Sequence, residues 1–116
     1  MAFRIARIAA LVGAIFMFGT LPAFASGDIE AGKTKSVTCQ ACHGADGAAK
    51  IDPQYPRLAG QYRDYLARAL HEYKAGKRDN AIMAGFVATL TDEDIEDLAA
   101  YFASLPTALK DLADEQ

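Results

Sequence analysis

Three things are scarce in this chain of 116 residues. Positive charge is outnumbered, with 12 lysines and arginines against 15 aspartates and glutamates and a net charge of −3. That balance excludes the basic face that nucleic-acid binding needs. Alternating apolar and polar runs are missing throughout, so strands are not expected and the chain reads as all-α. Potential metal ligands are few: two cysteines and two histidines, with Cys42 and His43 adjacent. A structural zinc site needs four well-separated ligands, which that adjacency makes awkward. Internal repeats and low-complexity segments are also absent.

Charge is missing altogether between Arg7 and Asp28. Arg4 and Arg7 form a positive start, Ile8 to Leu21 is uncharged and mostly apolar, and Ala23-Phe24-Ala25 is a small-residue cleavage site. This pattern predicts a secretory signal over 1–25, cleaved before Ser26, and one domain over 26–116. The competing reading is an uncleaved anchor, since a spanning helix takes about 20 apolar residues. Pro22 and the small-residue site favour cleavage, hence no stable membrane insertion and a periplasmic location. Loss of Arg4 and Arg7 leaves a more acidic chain. The acid gathers at Asp92 to Asp97 and at Asp111 to Glu115, expected as solvated faces or a charged helix start rather than docking patches.

What is present is Cys39-Gln40-Ala41-Cys42-His43. A C-x-x-C-H run is the attachment signature of c-type haem. Two cysteines three apart lie on one side of a helical turn and can meet two vinyl groups on one haem edge. His43 then supplies the proximal iron ligand. The rival reading, a redox disulfide of the thioredoxin kind, belongs at a strand-to-helix junction that this chain does not offer.

The second axial ligand decides what such a haem does. Met83 is the only methionine beyond the signal segment, in Asn80-Ala81-Ile82-Met83-Ala84-Gly85. This stretch is read as irregular, and its thioether as the sixth ligand. His/Met ligation stabilises reduced iron and raises its potential. His71 is the rival ligand, and an open iron site is the third outcome. A lone methionine is otherwise ordinary core filler.

Three main helices with long connections are predicted. The first spans 28–40, with Ile29, Gly32, Ser36 and Val37 on one side. A loop over 45–60, rich in Gly, Pro and Asp, is long enough to wrap a haem. The second helix runs over 61–75, burying Tyr62, Tyr65, Leu66, Ala69, Leu70 and Tyr73, with Gly76 as its stop. The third starts at Thr91-Asp92-Glu93-Asp94, carries Ile95, Leu98, Ala99, Phe102 and Leu105 as its apolar stripe, and stops at Pro106.

With these motifs in order, the chain resembles a small bacterial class I c-type cytochrome. It is similar to one half of the two-haem periplasmic cytochromes built from tandem domains. The matching stretches are Cys39 to Gly44, Pro56 to Gln61, Tyr73 to Arg78, Met83, Leu90 to Ile95 and Ala99 to Phe102. The resemblance implies the class I cytochrome c fold around one covalent haem. It implies that the carbonyl of Pro56 accepts a hydrogen bond from the proximal histidine, and that Gly32 meets Tyr101 where the first and last helices cross. Arg57, Tyr62 and Arg78 are implied as partners of the haem propionates. The implied function is a one-electron carrier rather than an enzyme, with transient redox partners bearing a basic docking patch. An alternative is the electron-accepting subunit of a periplasmic dehydrogenase, such as a flavocytochrome sulfide oxidiser. An open iron would instead mean a haem enzyme or gas sensor. A single C-x-x-C-H leaves monomer and homodimer both open.

Overall fold

The structure, a computed structural model, describes residues 26–49 and 52–107. The signal segment expected at 1–25 and the acidic run at 111–115 lie outside the described residues. Those described form five α-helices and no strand: α1 (Ile29–Lys35), α2 (Val37–His43), α3 (Arg63–Lys74), α4 (Ala81–Val87) and α5 (Asp92–Ser104). The fold is the expected all-α one, built from five helices rather than three main ones.

The single first helix expected over 28–40 is two. Asp28 caps α1 by accepting from the Ala31 amide at 3.0 Å. The break falls at buried Ser36, whose hydroxyl donates to the Lys33 carbonyl at 2.7 Å and accepts from Gln40 Nε2 at 3.0 Å. A serine bonding its own backbone competes with the helical ladder.

The buried face of α1 also differs from expectation. Gly32 and Ser36 are buried, while Ile29 and Val37 are 46% and 66% exposed. Backbone proximity chooses this face. A Cβ on Gly32 would lie 2.0 Å from the Asp97 carbonyl oxygen and 2.7 Å from the Tyr101 Cβ. Only the smallest side chains of α1 fit against α5, so the small/aromatic crossing implied by resemblance is present.

Helix α5 is capped reciprocally. The Thr91 hydroxyl accepts from the Asp94 amide at 3.1 Å, and the Asp94 carboxylate accepts from the Thr91 amide at 2.8 Å. Ile95, Leu98, Ala99 and Phe102 are buried as the spacing predicted, joined by Ala100 and Tyr101. Leu66 and Ala67 of α3 complete the core with them, and Cys39, Leu58, Leu70, Leu90 and Leu105 pack against it. The buried face of α3 is narrower than expected, because Tyr62 and Tyr65 are exposed. Tyr62 precedes the first helical turn and so does not share its spacing. The ring of Tyr65 lies beneath the Arg68 and Arg78 guanidinium groups at 5.7 and 6.0 Å. Gly76, at φ +68°, ends α3 in a conformation that side-chain-bearing residues rarely adopt.

A polar link fastens α1 to α5. Buried Asp97 accepts from the Asp28 amide at 2.6 Å and from Lys35 Nζ at 2.6 Å. Lys35 also reaches Asp94 at 2.7 Å. The Lys35 hydrogen bonds hold Asp94 down at about 2 and lower Asp97, while both carboxylates push the Lys35 ammonium up. The acidic run at 92–97 is therefore not simply a solvated face. Its first half starts a helix, and Asp97 is an interior ion-pair partner.

Candidate functional site

Helix α2 presents Cys39, Cys42 and His43 over its last five residues, and Gly44 ends it. The two thiols are not joined to each other. Cys39 packs against the core, and burial pushes its thiol pKa up. His43 is 5% exposed. Its Nδ1 lies 2.9 Å from the carbonyl oxygen of Pro56. A carbonyl only accepts, so Nδ1 carries the hydrogen, and Nε2 is left with the lone pair that a metal takes.

The loop after α2 builds this contact. The Ala49 amide donates to the His43 carbonyl at 2.8 Å, and the Gly47 carbonyl accepts from Leu58 and Ala59 at 2.8 and 3.0 Å. The Gly60 amide then donates to the Phe102 carbonyl at 2.9 Å. The chain is thus folded back on itself and pinned to α5, with Pro56 facing His43.

Tyr55 is a member of the site that sequence reasoning missed. Its ring centroid lies 6.1 Å from that of His43 in an edge-on arrangement. Only its adjacency to Pro56 marks it in the sequence.

Met83 stands on a helix, not in an irregular segment. Its run, Ala81 to Val87, carries no charge, and Asn80 caps it by accepting from the amides of Ile82 and Met83. Met83 is half-buried, while Ile82 and Phe86 on the same helix are 61% and 49% exposed. His71, the rival ligand, sits in the last turn of α3, 3.9 Å from an Asp92 carboxylate oxygen.

Arg57 follows Pro56 in the loop and is half-buried, and Tyr62 stands at the N-cap of α3. Arg78, which resemblance offered to the propionates, is engaged by protein groups. Its guanidinium lies 5.1 Å from the Tyr73 ring centroid, 3.4 Å from the Tyr65 hydroxyl and 3.9 Å from the Glu72 carboxylate. No group of three or more His, Cys, Asp or Glu residues among those described forms a metal site.

The donor set fits c-type haem: two unjoined thiols and an oriented imidazole on one helix, and a thioether on another. Beside the thioether, Ile82 and Phe86 leave 61% and 49% of their surface exposed, apolar area that a bound haem could cover.

Comparison with known proteins agrees. The cytochrome c family pattern matches residues 29–106. Cytochrome c4 of Pseudomonas aeruginosa is 49% identical over 82 residues, which are 71% of this chain and 40% of that one. Cytochrome c-554(548) of Halomonas halodenitrificans is 44% identical over 82 residues, 68% of this chain and 98% of that one. The crystal structure of reduced recombinant cytochrome c4 from Pseudomonas stutzeri superposes with a TM-score of 0.65 at 43% identity, covering 69% of this chain and 46% of that one. The chain thus spans less than half the length of the cytochrome c4 proteins it matches, and nearly all of the c-554(548) protein. It belongs to the cytochrome c family, and its cofactor is covalently bound haem c.

Proposed function

We propose that the protein is a periplasmic one-electron carrier whose single haem is attached through Cys39 and Cys42 and ligated by His43 and Met83. The observation that carries the reading is buried His43, directly after Cys42, donating Nδ1–H to the Pro56 carbonyl at 2.9 Å. That bond fixes the ring and makes Nε2 a better donor. Bound haem supplies a one-electron ferrous/ferric couple. The residues around it do the rest. Cys39 and Cys42 would tether it, and His43 and Met83 would hold its iron and keep small molecules off it. Arg57 and Tyr62 serve as polar partners of the propionates. Export with removal of residues 1–25 places the carrier in the periplasm, and a mature protein beginning at Ser26 is the check on that step.

Function as a carrier needs short-lived complexes, with interfaces below about 1,200 Å². An acidic chain favours partners with a basic patch, whose encounter slows as salt rises.

Optical spectra of the haem-loaded protein test the reading. A low-spin reduced spectrum, with the weak red sulfur-to-iron band when oxidised, is expected. Met83→Ala should remove that band and admit carbon monoxide to the ferrous protein. A high-spin native spectrum, or carbon monoxide uptake by the unmutated protein as fast as by Met83→Ala, would overturn it.

A further inference from the structure

Helix α4 is held at its ends more than along its length. It is seven residues long, too short to persist alone. Ile82 and Phe86 stand well exposed, and Val87, in its last turn, is its one buried residue. At the other end Asn80 Oδ1 accepts from the Ile82 amide at 3.1 Å and from the Met83 amide at 3.0 Å. The hydrogen bond therefore falls on the backbone of Met83 itself.

Asn80 is in turn presented by a fixed segment. The Glu72 carbonyl accepts from the amides of Lys77 and Arg78 at 2.8 and 3.2 Å. The Arg78 side chain is clasped by Tyr65, Tyr73 and Glu72 of α3. The connection from α3 to α4 is thus anchored two residues before Asn80, and Asn80 carries that anchor into the first turn of α4.

We propose that Asn80 is a positioning residue for the sixth ligand: through its bond to the Met83 amide it sets how often the thioether leaves the iron. The proposal rests on Met83 being that ligand. A helix that frays at its first turn lets Met83 swing away, and an incoming small molecule takes the open position. Loss of an asparagine cap corresponds to about a five-fold shift in such an equilibrium.

The experiment compares the haem-loaded protein with Asn80→Ala and Asn80→Asp. Aspartate retains the acceptor oxygen, and alanine does not. The readouts are the red sulfur-to-iron band and the rate at which the ferrous protein binds carbon monoxide. The expected result is about five-fold faster binding and a weakened band in Asn80→Ala, with both restored in Asn80→Asp. If Asn80→Ala does not accumulate with haem, Asn80→Leu takes its place, since it too lacks the acceptor oxygen and is a poor cap. Unchanged binding rates in the variant without the acceptor, or equal acceleration in Asn80→Asp, overturn the proposal. Absence of the red band from the unmutated protein would instead remove the Met83 reading on which it stands.

Discussion

His43 gives one ring nitrogen to Pro56 so that the other is presented in a single tautomer. Three other residues bear on stability. Gly32→Ala would drive a methyl group into the Asp97 carbonyl. Parting α1 from α5 should cost about 1–3 kcal/mol, read as a lower denaturation midpoint. Asp94 and Asp97 make stability depend on pH. Their folded pKa values lie below the ordinary 3.8, that of Asp94 at about 2, so their contribution is full above about pH 5 and is lost as pH falls through and below 3.8. Denaturation midpoints taken across that range should fall steeply, and Asp97→Asn should flatten the fall. Of these residues, the C-x-x-C-H group was legible because its chemistry is contained in five adjacent positions. Asp97 was not, because what removes it from water is Lys35, 62 residues earlier. Ile29 and Val37 misled for the same reason: hydropathy marks what prefers burial, but a glycine contact decided which side of α1 is buried.

At the level of elements, α5 was read almost residue for residue. Its cap, stripe and stop are all local signals, and Thr91→Ala should cost about 1 kcal/mol in a chemical denaturation measurement. Helix α4 was misread because its run lacks the polar spacing that marks an amphipathic helix. An asparagine just before an apolar run was the available sign. The break at Ser36 was invisible for a different reason. Serine is tolerated in a helix until its hydroxyl finds the backbone, and that outcome depends on burial. The loop over 45–60 was legible as a loop from its glycines and prolines, but not the hydrogen bonds that aim Pro56 at His43.

For the whole molecule, a chain this short buries proportionally little surface, which predicts dependence on the cofactor. The Cys39→Ser, Cys42→Ser double variant cannot tether haem, and it should lose the cooperative thermal transition of the loaded protein when both are followed by circular dichroism. Electron exchange with a basic partner should slow as ionic strength rises from about 0.01 to 0.15 M, as the screening length shrinks from about 30 to 8 Å. The crossing of α1 and α5 has a consequence in time. The bond from the Asp28 amide to Asp97 joins residues 69 apart, so the first described helix lacks the helix it packs on most until nearly the last described residue has been made. Contacts of such long range slow folding, because a large loop must close before they form. A chain emerging from its N-terminus therefore brings out Cys39, Cys42 and His43 before the helix that packs on α1 exists.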